Sequence, residues 1–279
     1  MHIVLGGTGH IGSAVANALL KRREQVTIVG RNREKMRPLQ ARGAEIAITD
    51  ILDIEALKSV YRCGDRLFLL NPPADPSTDV AQEERKSVAS MLRALDGSGI
   101  RKIVAESTFG AQPGEQIGEL GVLFELEQGL KQCGIPSTII RGAYYMSNWD
   151  AALESARSEG VIRTFFPVDL ALPMVAPKDI GEFAAQRMLG PIGQTGLVHV
   201  EGPERYSSAQ VAAAFASALQ RDVVAATIPE SDWSVTLKQL GYSDAAAISF
   251  MNMTRIAREG DFPPLAQTVH GTTSLNEYI

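Results

Sequence analysis

The residues with the most specific chemistry stand at the start of the chain. A short apolar run, His2-Ile3-Val4-Leu5, leads into Gly6-Gly7-Thr8-Gly9-His10-Ile11-Gly12. The three spaced glycines have separate uses. Gly6 permits a tight turn out of a strand, Gly9 lets backbone approach a pyrophosphate, and Gly12 lets a helix pack closely on the strand. The phosphates would sit on the free N–H groups of His10 and Ile11, with Thr8 in the same cradle.

A second apolar run, residues 25–29, ends in Gly30-Arg31-Asn32-Arg33, with Lys35 just beyond. An acidic residue there would bind both ribose hydroxyls and favour NAD. Arg31 instead can stack on adenine and pair with a 2′-phosphate, so NADP(H) is the expected cofactor. Asn32 joins that set. Arg33 and Lys35 read equally well as a solvated helix start. Asp50, next to Ile51, is placed to reach the adenine amine or to cap the following helix. In an open parallel sheet the ligand lies at the carboxyl ends of the strands, which adds Asn71, Pro72, Ser107 and Thr108.

Alternating elements must hold these residues. Strands are expected at 2–5, 25–29, 45–49, 66–70, 103–106 and 137–140. Between them, helical spacing covers Ile11 to Leu19, a segment with Leu57 and Val60, then 79–97 and 120–132. This rhythm predicts a Rossmann-like, doubly wound α/β fold with a parallel sheet covered on both faces. After residue 141 the rhythm loosens. Helices are expected at 151–159, 178–189, 207–220 and 244–259, with one more strand at 197–200. The expected division is a nucleotide-binding domain over 1–145 and a smaller α/β lobe over 146–279, interleaved with the sheet and not independent.

Bulk properties narrow the class. The 279 residues are 45% hydrophobic and 21% charged, with a formal net charge of −5. No broad basic face is expected to bind nucleic acid directly. No apolar run is long enough for a membrane span. Cys63 and Cys133 match no metal or disulfide pattern, so a reducing cytoplasm is the expected setting and no metal is expected. His2, His199 and His270 have no ligand partners at useful spacing and read as packing or surface residues. Asp179 reads as a helix cap. A homodimer stays open.

Several motifs together resemble the NmrA-like group of atypical short-chain dehydrogenases. They are Gly6 to Gly12, Asn71-Pro72-Pro73, Gly99-Ile100-Arg101-Lys102-Ile103-Val104 before Ser107, and Gly134-Ile135-Pro136 through Arg141 with Tyr144 to Asn148. Pro177-Lys178-Asp179-Ile180-Gly181 and Gly202-Pro203-Glu204 follow. The resemblance spans nearly the whole chain. It implies an NADP(H)-binding Rossmann domain and a small C-terminal lobe, in a family of quinone reductases, isoflavone-type reductases, dye reductases and redox-sensing regulators.

The departures bear on the reaction. Ordinary short-chain dehydrogenases use Tyr-x-x-x-Lys. Here Tyr61, Tyr144, Tyr145, Tyr206 and Tyr242 are followed at that offset by Asp65, Asn148, Trp149, Gln210 and Ala246. Tyr278 stands next to the end. Where reductase relatives often keep a helix lysine, alignment puts Leu123, which cannot relay a proton. Hydride transfer to a quinone or conjugated cation needs mainly proximity and orientation. A flat pocket of Phe109, Leu123, Tyr144, Tyr145, Met146 and Trp149 would suit such an acceptor, although each residue also reads as core packing. Ser107 and Tyr145 are the candidate catalytic groups. The leading expectation is an NADPH-dependent reductase of quinone-like or other electrophilic small molecules. The alternative is a non-enzymatic NADP(H)-binding sensor that regulates a partner protein. An epimerase is disfavoured, because its acid–base residue is missing.

Overall fold

The computed structural model describes residues 1–260 and 267–279. Its strands are β1 (His2–Leu5), β2 (Val26–Gly30), β3 (Glu45–Ile48), β4 (Arg66–Leu69), β5 (Lys102–Thr108), β6 (Ser137–Gly142), β7 (Tyr144–Tyr145), β8 (Val161–Thr164), β9 (Leu172–Val175), β10 (Gly196–Glu201), β11 (Arg205–Tyr206), β12 (Val224–Thr227) and β13 (Thr268–His270). The helices are α1 (His10–Lys21), α2 (Arg33–Gln40), α3 (Ile54–Tyr61), α4 (Val80–Ala94), α5 (Glu119–Gln132), α6 (Leu153–Ser158), α7 (Pro177–Leu189), α8 (Ser208–Leu219), α9 (Trp233–Gln239), α10 (Asp244–Glu259) and α11 (Leu275–Tyr278).

Eight strands form one sheet in the order β13-β10-β6-β5-β4-β1-β2-β3. Every neighbouring pair is parallel. From β1 the chain first builds outward through β2 and β3, then returns to place β4 on the other side. That reversal opens a crevice at the carboxyl ends of β1 and β4. Parallel strands are buried on both faces, which is why β1 and most of β5 are buried throughout. On one face, Ile11, Val15 and Leu19 of α1 and Ile180, Ala184 and Met188 of α7 pack over Val4, Phe68, Val104 and Ile140. On the other, Leu57 of α3, Met91 of α4 and Leu126 of α5 pack over Ile3, Leu67 and Ile103.

A third core lies in the C-terminal half, where Met146, Trp149, Tyr206, Val211 and Phe215 meet Leu275 of α11. Two small sheets frame it, β11-β9-β7 and β12-β8. The C-terminal half also returns two strands, β10 and β13, to the main sheet. The sequence reading did not anticipate β13. Three residues are too few for periodicity to register, and only the edge of β10 gives them a partner. Part of the helix expected at 151–159 is a tighter 3-10 segment, Met146–Ala152, that runs into α6.

Two contacts fix the ends of the sheet. At the amino ends, the Lys102 ammonium donates to the carbonyls of Arg187, Gly190 (3.3 Å) and Pro191 (2.8 Å). Arg66 donates to those of Met188 and Gly190 (2.8 Å). Cations thus cap the C-terminus of α7, where its dipole is negative. At the carboxyl ends, α10 ties two loops together. Ser243 donates to Pro76 O (2.9 Å) through its amide and to Thr78 O (2.6 Å) through its hydroxyl, and Asn252 donates to Gln116 O at 3.0 Å.

Candidate functional site

The glycine turn is built for close approach. Gly6 has a φ of +64°, and the Gly9 amide donates back to the Gly6 carbonyl at 2.9 Å. A Cβ on Gly12 would fall 2.2 Å from that same carbonyl oxygen, so no side chain fits where α1 crosses the turn. At Gly9 the nearest atom to such a Cβ would be 3.5 Å away, so protein packing alone does not demand glycine there. The bare position faces solvent, between exposed Thr8 and His10, while Ile11 is buried. Gly9 is the N-cap of α1. No side chain accepts from the first-turn amides, and no acidic residue lies in that turn. The positive helix end and its free N–H groups fit a pyrophosphate.

The end of β2 adjoins this turn: a Cβ on Gly30 would lie 3.6 Å from Met36 Sδ and 3.9 Å from Thr8 Cγ2. Arg31 is exposed beyond it. Two neighbours expected to hold cofactor have other partners. The Asn32 Oδ1 accepts from the Lys35 amide at 3.2 Å and caps α2. Asp50 accepts from the Leu52 amide at 2.9 Å, a turn within its own loop. The cap of α3 is Asp53, which corrects the reading of Asp50 as that cap. Half-buried Ile51 takes a hydrogen bond on its carbonyl from Ser90 (2.5 Å).

Among the described residues, unpaired polar atoms gather at the carboxyl ends of β4 and β5. Asn71 and Pro72 follow β4, and the Asn71 Oδ1 is buried without a partner. A buried amide oxygen of this kind fits a polar ligand group in the crevice. Glu106 is 4% exposed; its Oε1 accepts from the Tyr145 hydroxyl at 3.0 Å and its Oε2 is unpaired. Burial pushes the Glu106 carboxyl well above the usual range. Glu84 of α4 is also buried. Its Oε1 accepts from the Ala74 amide (3.3 Å) and its Oε2 is unpaired. Burial, then the Glu119 charge, push its carboxyl up to about 7. Glu119, the first residue of α5, is itself raised by its surroundings although one side stays open to solvent.

Ser107 is turned away from Glu106. The strand alternation sends its hydroxyl to the opposite face, where it donates to Glu127 Oε1 at 2.6 Å. Arg141 grips that carboxylate with two hydrogen bonds of 2.8 Å. His199 lies beside the pair, and burial and the Arg141 charge pull its pKa down to about 4. Ser107 is therefore a member of a buried ion-pair network, and its expected role as a donor to an acceptor is withdrawn. The Thr108 hydroxyl stays local, 3.5 Å from the Phe109 carbonyl.

The six expected pocket residues do not gather in one place. Leu123 is buried in the core beneath the sheet, and Met146 is fully buried in the core of the C-terminal half. Trp149 lies in that same core, 5% exposed. Tyr144 leans on Trp149 and Phe166, with ring centroids 6.2 and 5.8 Å away. Phe109 stacks edge-on against His199 at 5.4 Å. Tyr145 alone of the six meets the unpaired carboxyl. The sequence reading missed Glu106, Glu84 and Glu119. One signal was visible, an acidic residue ending the apolar run Ile103-Val104-Ala105. Asp179 was also misread. It caps nothing in α7 but accepts from the Thr273 amide and hydroxyl, both at 2.9 Å. Among the described residues no cluster of three His, Cys, Asp or Glu is arranged to hold a metal, and no helix is long and apolar enough to cross a membrane.

The parallel sheet, its switch point and its glycine turn define a Rossmann-type α/β protein. Within that class the chain belongs to the NmrA-like family, whose model matches residues 2–276. It is 25% identical over 289 residues to quinone oxidoreductase 2 of Escherichia coli strain K12, covering 100% of this chain and 97% of that one. It is 26% identical over 239 residues to the NAD(P)H azoreductase of Xenophilus azovorans, covering 85% of this chain and 80% of that one. The crystal structure of an NADPH-dependent quinone oxidoreductase from Escherichia coli complexed with NADPH has the same fold. Its TM-score is 0.80 at 24% identity, over 99% of this chain and 98% of that one.

Proposed function

We propose that this chain is an NADPH-dependent reductase that passes hydride to a quinone-like or other electrophilic small molecule. The observation that carries the reading is the pairing of two features along one sheet edge. An uncapped helix start stands behind the glycine turn, and a polar crevice with an unpaired Asn71 oxygen stands at the ends of β4 and β5. The named relatives, a quinone reductase and an azoreductase, support it. Bound NADPH supplies the hydride. The α1 amides hold its pyrophosphate, and exposed Arg31 meets the 2′-phosphate. Residues 1–145 bind the cofactor and 146–279 cover the acceptor side. The absence of Tyr-x-x-x-Lys and the buried place of Leu123 remove the usual proton-transfer dyad.

Fluorescence titration with NADPH, followed by turnover with a panel of quinones, tests this reading. NADPH is expected to bind and each active quinone to oxidise it. Arg31→Ala is expected to weaken NADPH binding about tenfold or more, since a hydrogen-bonded charge contributes ~1.5–3 kcal/mol, and to leave NADH binding unchanged. Tight NADPH binding with no turnover would favour the sensor alternative, and equal losses for both dinucleotides would move Arg31 from the 2′-phosphate to a part that the two share.

A further inference from the structure

Glu106 is the anomaly of β5. The three residues before it are apolar and buried, and it is itself almost fully buried. Among the described residues it has no cation partner. Its one hydrogen bond comes from Tyr145, and its second oxygen is unpaired. The contact depends on a local vacancy in β6. A Cβ on Gly142 would fall 2.7 Å from Glu106 Oε1 and 2.8 Å from the Tyr145 ring, so glycine there makes room for the pair. The site also lies at the carboxyl edge of the sheet, where Gly142 is in register with Thr108.

The charged groups that act on the pair are carboxylic. Burial pushes Glu106 up, and the Glu119 charge pushes it further. Burial and both carboxyl groups likewise hold the Tyr145 phenol well above its ordinary range. Both shifts favour the protonated forms of the two groups. With a neutral carboxyl, the hydrogen bond can run in either direction. An acceptor oxygen that became negative within reach of the Glu119 charge would meet like charge, which favours its protonation.

We infer that Tyr145 donates the proton that completes reduction of an acceptor oxygen, and that Glu106 is the positioning residue that resupplies Tyr145. This inference rests on the reductase reading above. Hydride addition reduces the acceptor by two electrons and leaves negative charge on its oxygen. The Tyr145 O–H bond breaks and its proton forms the new O–H bond. The phenolate then takes the proton of Glu106, and solvent water reprotonates the carboxylate. The acceptor gains one hydride and one proton, and the dinucleotide is oxidised by two electrons.

Two acceptors separate this role from a structural one. Menadione needs a proton at oxygen after hydride transfer. A triarylmethyl cation dye takes hydride at its central carbon and needs none. Both rates are measured on the same preparation of the full chain with saturating NADPH, so misfolding lowers both alike. Tyr145→Phe and Glu106→Gln are each expected to lower the ratio of menadione to dye turnover about a hundredfold, the lower range of general acid catalysis. The double variant is expected to be no worse than Tyr145→Phe, because the two groups act as a unit. An unchanged ratio in either variant, or losses that multiply in the double variant, overturns the inference alone. A wild-type protein that reduces neither acceptor overturns the reductase reading and the inference with it.

Discussion

Lys102 and Glu106 lie on the same strand, both buried, four residues apart, and their surroundings differ in kind. The Lys102 ammonium has three hydrogens and three carbonyl acceptors, all from the C-terminus of α7 and the turn after it. The Glu106 carboxyl has one donor and an oxygen without one. The same contrast holds on β4, where Arg66 at the amino end meets two carbonyls and Asn71, just past the carboxyl end, keeps an unpaired oxygen. Buried polar groups are tolerated when their hydrogen-bonding capacity is met. At the amino ends of β4 and β5 it is met from within, and Arg66 and Lys102 hold α7 to the sheet. At the carboxyl ends it is left open, and that is where a parallel sheet receives its ligand.

The largest expected effect lies at the amino end. Lys102→Met removes a buried ammonium that holds the carbonyls of Arg187, Gly190 and Pro191 and is expected to cost about 4 kcal/mol of unfolding free energy. Urea denaturation measures it, and a change below about 1 kcal/mol would erase the contrast.

The next effect concerns pH at the carboxyl end. Glu84 has a carboxyl raised from 4.5 to about 7 in the folded protein, by burial first and the Glu119 charge second. A raised folded value gives stability that is complete below pH 4.5 and is lost as pH rises through 7. The displacement corresponds to about 3 kcal/mol. Glu84→Gln stays neutral, so its stability is expected to fall less than that of the wild type over this window. Parallel curves for the two proteins would show that Glu84 ionises freely.

The smallest expected effect sharpens the comparison most. Asn71→Ala removes an oxygen with no internal partner, so stability should change by no more than about 1 kcal/mol. NADPH affinity, read by the same titration used for Arg31→Ala, is expected to fall. A stability loss as large as that of Lys102→Met would make Asn71 part of the scaffold.

Much of this architecture was legible along the chain. Near-continuous apolar runs such as residues 103–105 are what a doubly covered strand requires, and the spaced glycines announce the first turn. The reach of that reading ended where partners are distant in sequence. Ser107 and Glu106 are adjacent, yet pleating sends one to Glu127 and the other to Tyr145. Leu123 and Met146 looked like neighbours of one apolar pocket and lie in two separate cores. Asp179 precedes a helical run, but its acceptors serve Thr273, ninety-four residues away.

By itself, the sequence determined the parallel fold, the glycine turn and the basic residue after β2, because each follows from local periodicity or from steric limits within a few residues. Only the tertiary structure decided which polar groups are satisfied. That depends on what the folded chain brings to each strand end: carbonyls at the end of α7 and in the turn after it to Lys102, the phenol of Tyr145 to Glu106, and, among the described residues, no partner to the Asn71 oxygen. Hydrogen bonding is short-ranged and directional, so no spacing along the chain encodes its balance.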